Sequence, residues 1–181
     1  MTELMTVHRA ALEQWRKAMN LVGPGDVSEH YVDAERALAG LSPRGRWVDL
    51  GTGAGFPGVI LAALFPHLEV DLVDSRRKRC VFLEHVLGAA PDGDRDRVRV
   101  LCRRVETLPE HAYDGVTARA FAPPPQVLEH AARLLKPHGV VILFLQDDTP
   151  VPSDSRFRVI AERPYRVAGR QRRSVELAFL G

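Results

Sequence analysis

Cysteine is scarce in this sequence, charge is nearly balanced, and no long apolar run occurs. Two cysteines among 181 residues, Cys80 and Cys102, make no disulfide framework. Neither has ligand spacing with a histidine or with the other cysteine, so no metal site is expected and both read as reduced thiols. Twenty-five Lys and Arg against 23 Asp and Glu leave a formal net charge of +2, too small to argue for a partner by itself. No stretch of about 18 uncharged apolar residues exists. The opening MTELMTVHRAALEQW carries acids inside an amphipathic pattern, unlike a signal peptide or a membrane span. The expectation is a soluble, cytoplasmic protein with no membrane partner. At 45% apolar residues the chain is not disordered, and its length suits one well-filled core.

Leu4, Val7, Ala11, Trp15 and Ala18 recur at the period of a helix with one face to bury. The link GPGD leads to a second helix that opens near Asp26 or Ser28 and runs to Leu41, with Asp26 and Glu29 at capping-box spacing. Residues 1–45 are thus a helical preface to a core over 46–181, in one domain. In that core WVDLG (47–51) reads as a strand, and Pro57 sits in the first turn of a helix that Pro66 stops. EVDLVD (69–74) is a second strand, followed by a helix from Ser75 to about Leu87 and a loop, PDGDRD. VRVLC (98–102), YDGVTA (113–118) and VVILFL (140–145) are further strands, with a helix from Pro125 to Leu135 before the last. The alternation predicts an α/β fold with a mostly parallel sheet covered on both faces. FRVIAERPYRV and RRSVELAFL, joined near Gly169, predict an antiparallel C-terminal hairpin closing one edge. The ten residues QDDTPVPSDS before it are too few for a crossover helix and its loops.

The loop DLGTGAGFPG (49–58) follows the first strand, at the carboxyl end of the sheet where such folds bind ligands. Gly51, Gly53 and Gly55 stand in G-x-G-x-G, and glycine lets a ligand come close to bare amides. Three readings stay open. Gly53, Gly55 and Gly58 satisfy the dinucleotide fingerprint, with Asp74 twenty-one residues past the first of them. Asp49 favours instead a methyl donor bearing a cationic amine, because a carboxylate there repels a pyrophosphate. The third reading is a tight packed turn. A phosphate-binding ATPase loop is excluded, since no Gly-Lys-Ser or Gly-Lys-Thr follows. Asp74, ending the second strand, suits ribose hydroxyls.

Four segments, DLGTGAGFPG, LVDSRRKRCVFLEHV, RVETL (104–108) and ARAFAP (118–123), resemble in that order those of the bacterial RsmG family, also called GidB. QWRKAMNLV and EHYVDAERAL resemble its helical preface, and FRVIAERPYRV its closing strands. The resemblance implies a class I S-adenosylmethionine-dependent methyltransferase with a Rossmann-like sheet, acting on N7 of a guanine in 16S ribosomal RNA. It implies that Gly51 and Phe56 contact the cofactor, with Gly53 and Gly55 shaping the loop. Val105 and Glu106 are then placed by the adenine, and Arg119 in the cofactor or substrate pocket. The plainer readings are that Phe56 seals a helix onto the sheet, Glu106 is a surface acid and Arg119 makes a surface salt bridge. Trp15 and Phe121 read as core or helix-docking residues. No catalytic residue is assigned, because guanine N7 carries a lone pair and no proton, so transfer needs alignment rather than a base.

The implied partner is 16S rRNA or the small ribosomal subunit, met by a monomer, with no DNA expected. Arginines supply the candidate grip: Arg76 to Arg79 form RRKR, and Arg156 to Arg173 hold seven arginines against one acid, Glu162. Both clusters also read as ordinary solvated surface. Asp147 and Asp148 follow the fifth strand where the family carries a lysine-glycine pair and a helix, and Arg16 stands where asparagine is commoner. The two acids and the missing helix favour one alternative, a related methyltransferase with a different or small acceptor; a non-catalytic RNA-binding homologue is a second.

Overall fold

The computed structural model describes residues 1–19, 21–23 and 26–181. Pro24 and Gly25 of the GPGD link, and the side chains of Arg16 and Ala18, fall outside the described residues.

Two helices come first, α1 (Glu3–Met19) and α2 (Val27–Leu38). Asp26 caps α2, its carboxylate accepting from the Ser28 amide at 2.9 Å. The helix stops three residues earlier than its apolar pattern suggests, as Gly40 turns with φ of 77°. Then β1 (Arg46–Leu50), α3 (Gly58–Leu64), β2 (Glu69–Asp74), α4 (Arg77–Gly88) and β3 (Val98–Cys102) alternate. PDGDRD is not a loop: α5 (Asp92–Arg97) occupies it, with Asp92 and Asp94 in its first turn and Arg95 and Arg97 in its last. That charge order complements the helix dipole, and Pro91 before it suits a helix start.

A short 3₁₀ turn (Val105–Thr107), β4 (Tyr113–Ala118), α6 (Pro124–Leu134), β5 (Leu135–Gln146), β6 (Phe157–Val167) and β7 (Arg170–Phe179) complete the chain. The β5 strand begins earlier than the apolar run VVILFL. Its residues 136–139 bulge between the Tyr113–Leu135 and Gly115–Val140 pairs, and Lys136 Nζ reaches both oxygens of Asp114. Among the described residues the strands form one sheet in the order β3-β2-β1-β4-β5-β7-β6. The first five pair in parallel; β7 pairs antiparallel with β5 and with β6. Ala168 and Gly169, both at positive φ, make the two-residue turn of the expected hairpin.

Period-two alternation splits the strands between two cores. Trp47, Val70, Leu72 and Ile142 face α1 to α4, whereas Val48, Leu50, Val73 and Val116 face α6 and the 3₁₀ turn. Both preface helices cover the first of these faces, and α2 also reaches the hairpin.

Gly115 is the tightest point of that packing. A Cβ there would lie 2.2 Å from Trp47, whose ring is buried and whose Nε1 donates to the Arg44 carbonyl. Gly115→Ala should therefore destabilise the fold by about 3 kcal/mol. Gly93→Ala, in the exposed α5 with open space around it, should be neutral or slightly stabilising. Urea unfolding of the two variants measures the contrast.

Candidate functional site

The loop between β1 and α3 is held from below by two buried carboxylates. Asp49 Oδ2 accepts from the Gly58 amide at 3.0 Å and Oδ1 from the Thr117 hydroxyl at 2.9 Å. Burial pushes its carboxyl up to about 6, against the downward pull of those donors. Asp74, ending the adjacent β2, accepts from the Gly53 amide at 3.0 Å, the Arg76 amide at 2.8 Å and Arg79 Nη1 at 3.3 Å. Chain reversal at the loop places Gly51, Gly53 and Gly55 at positive φ, where a side chain is disfavoured.

Above the loop lies a cavity of about 420 Å³. Gly51, Val73, Asp74, Val105, Glu106 and Phe121 line it, and Arg76, Arg79, Arg103 and Arg104 rim it. Gly51, Asp74, Val105 and Glu106, four of the residues read as cofactor-binding, thus meet at one cavity, from the end of β1, from β2 and from the 3₁₀ turn. Gly51 is bare by necessity, because a Cβ would lie 2.4 Å from the Phe121 ring. Gly53 shapes the loop through Asp74, and Gly55 shapes it through packing, since a Cβ there would lie 2.6 Å from Val59.

Three expectations are corrected. Asp49 does not face the cavity; it is fully buried under the loop with both oxygens occupied, so it secures the loop instead of meeting a cationic amine. Phe56 is absent from the cavity lining as well, since it packs at 3% exposure against His8, His30 and Tyr31 of the preface. What it seals is the loop against the preface, not a helix against the sheet. Phe121, read as a docking residue, lines the cavity.

Arg119 lies on the other side of Ala120, in a second cavity of about 360 Å³. Its guanidinium stacks over Phe56 at 5.1 Å and donates to Asp33 of α2 at 2.9 Å. Asp33 is 2% exposed and also receives Tyr165 of β6 and Arg172 of β7, each at 3.0 Å. Sequence offers no signal for Asp33, whose partners lie 86 to 139 positions away. Arg103 and Arg104 were not singled out from the sequence, although their place directly after β3 was a signal that could have put them at the carboxyl edge.

The tail arginines are mostly paired. Arg156 meets Asp154 and Glu129, Arg163 meets Glu176, Arg172 meets Asp33 and Arg173 meets Glu162. By contrast Arg76, Arg77, Lys78, Arg103 and Arg104 are exposed around the first cavity and on its α4 flank. Trp15 docks α1, stacking on His85 at 4.7 Å.

A sequence profile of the family described as rRNA small subunit methyltransferase G matches residues 1–149. The ribosomal RNA small subunit methyltransferase G of Paracoccus denitrificans is 32% identical over 150 residues, 79% of this chain and 75% of that protein. Its namesake from Hydrogenovibrio crunogenus is 40% identical over 134 residues, 72% of this chain and 61% of that protein. The glycopeptide N-methyltransferase MtfA complexed with sinefungin superposes with a TM-score of 0.67 at 14% identity, over 93% of this chain and 97% of that one, a likeness of fold.

His8 of α1 clasps the preface to the loop. A carbonyl only accepts, so Nε2–H donates to Ala54 O at 2.6 Å and Nδ1 accepts from the Tyr31 hydroxyl at 2.6 Å. Burial lowers its pKa from 6.5 to about 4, which keeps it neutral in the fold. The unfolded chain then binds a proton first, so His8 withdraws stability as pH falls from about 6.5 to 4. Asp49 acts oppositely, its raised pKa restoring stability as pH falls from about 6 towards 3.8. In His8→Gln the Asp49 contribution remains and cancels in the comparison. Urea unfolding at pH 7 and 4.5 should show wild type losing about 2 kcal/mol more than the variant.

Proposed function

From the premise that the chain belongs to the rRNA small subunit methyltransferase G family and is an S-adenosylmethionine-dependent methyltransferase of class I fold acting on 16S rRNA, we propose that its product is N7-methylguanine. The observation that carries the cofactor's placement is the 420 Å³ cavity over the glycine loop, at the carboxyl ends of β1, β2 and β3.

The residues present fit that cofactor. Val73, Val105 and Phe121 offer an apolar wall to an adenine, Asp74 and Glu106 offer acceptors to ribose hydroxyls, and Gly51 leaves backbone bare for close approach. When bound, the cofactor supplies an electrophilic methyl carbon on a sulfonium. Gly51, Asp74, Val105 and Glu106 would hold it with that methyl offered to the N7 lone pair, a neutral thioether and a cationic purine being the balanced products. No proton moves, so the chain's work is alignment and exclusion of competing water. Rigid placement of the loop by Asp49 and Asp74 serves that alignment.

RNA grip falls to the exposed rim of Arg76, Arg77, Lys78, Arg103 and Arg104, where Arg77 makes only a loose 3.9 Å contact with Glu84, because cations not tightly held by protein carboxylates are the ones open to many phosphates. The same reading takes the protein as a cytoplasmic monomer. A smaller acceptor is the second reading, favoured by the exposed Asp147 and Asp148 after β5 and by the absence of a helix between β5 and β6 among the described residues.

Methyl transfer from radiolabelled cofactor to unmodified small subunits and to naked 16S RNA tests the proposal. Label on guanine N7 is expected; label on another atom, or none, overturns it. Arg77→Glu with Lys78→Glu should weaken RNA binding by roughly tenfold or more and flatten its salt dependence. Both residues stand outside the cofactor cavity, so cofactor affinity should stay unchanged, as calorimetry would report.

A further inference from the structure

We propose that the second cavity, about 360 Å³ between Arg119, Phe144, Gln146, Tyr165 and Arg172, receives the acceptor nucleotide and holds it by one phosphate and one base face. The inference rests on the methyltransferase reading and specifies where its acceptor sits.

Position is the first argument. Ala120 lines both cavities, so the two share a wall one residue thick at the end of β4. Its backbone stands at φ of 54°, which turns the chain between them. A methyl group carried in one cavity therefore has its shortest route into the other.

Charge is the second. Asp33, 2% exposed, is the carboxylate that orients Arg119 and Arg172, and two guanidiniums against one carboxylate leave one positive charge in excess. Each guanidinium has further N–H groups beyond the one given to Asp33. The exposed Asp147 and Asp148 do not line this cavity. An excess of one cation suits one phosphodiester, in a fixed geometry that a solvated lysine does not provide.

The third argument is the unused surface. Phe144 is half-buried, resting against the core under α1 to α4 while still lining the cavity, and stacks on no aromatic ring among the described residues; Pro124 and Ala122 add apolar wall beside it. The Gln146 side chain, exposed at the rim, makes no hydrogen bond to another described residue. A flat apolar face beside a free carboxamide matches a splayed-out base, which stacks on an aromatic ring and presents donors and acceptors at its edge. The Asp33 network also explains why the preface and the hairpin both touch the core here: α2, β4, β6 and β7 must converge for the cavity to exist.

Phe144→Ala and Gln146→Ala test this without disturbing Asp33. Each should raise the KM for RNA by roughly fivefold or more, the size expected for losing a stacked base or a base-edge contact, with sinefungin affinity within about twofold of wild type. Arg172→Ala should do the same while Arg119 and Tyr165 keep Asp33 partnered. Unchanged transfer in all three, or parallel loss of sinefungin affinity, overturns the cavity assignment. Failure of wild type to methylate any RNA overturns the methyltransferase proposal separately. In that case amide shift mapping with guanosine 5′-monophosphate on the sinefungin-saturated protein decides the cavity. Shifts at Phe144, Gln146 and Arg172 uphold it as a nucleotide site, and shifts elsewhere or none reject it.

Discussion

A loop rich in glycine has few side chains with which to hold itself, and the site depends on how that deficit is met. Two strand-end carboxylates reach up to backbone amides: Asp49 to Gly58 and Asp74 to Gly53. Parallel pairing sets β1 and β2 side by side, with Leu50 opposite Val73, so the two acids arrive under the same loop. From this follow the positive φ values of Gly51, Gly53 and Gly55, the bare wall of the cavity and the placement of Asp74 on its floor. A buried carboxylate is costly unless its oxygens find donors, and both here do.

The preface completes what the acids begin. Phe56, expected at the cofactor, is spent on an aromatic cluster with His8, His30 and Tyr31, and His8 also accepts the task of satisfying the Ala54 carbonyl. Rigid packing on the outer side of the loop leaves its inner side free for a ligand. The described residues of 1–45 are therefore structural partners of the site, and none of them lines the first cavity.

Strands and most helices were legible because both signals are local: short, mostly buried runs such as EVDLVD and YDGVTA, and proline or glycine at element ends. Part of the cavity floor was legible for a similar reason, since a residue at or just past the end of a parallel strand lies at the carboxyl edge by topology, as Asp74 and Gly51 do; Arg103, just past β3, went unread. Side-chain direction was not legible. Asp49 and Gly51 are two residues apart, yet Asp49 is buried under the loop while Gly51 lines the cavity above it, a difference set by the turn that begins at Gly51. Alternation also failed in α5, where a short charged helix carries no apolar face to announce itself.

Clustering along the chain and potential in space are different quantities, and the arginines make the point. Seven arginines between Arg156 and Arg173 look like an RNA grip, yet the strands that carry them lie beside acids of other segments. Asp33 comes from α2, Glu129 from α6, and Glu176 from the neighbouring strand, each pairing with one of them. A guanidinium engaged by a carboxylate is worth less to a phosphate, so grip shifts to the less engaged cations around the first cavity, Arg76, Lys78, Arg103, Arg104 and Arg77 with its loose 3.9 Å contact to Glu84. Arg172 is the instructive exception: sharing Asp33 with Arg119 leaves the group one charge positive, fixed in place rather than free in solvent. Catalysis by alignment needs that combination, a mobile cationic rim to gather a polyanion and a rigid, singly charged seat to orient one nucleotide beside the methyl donor.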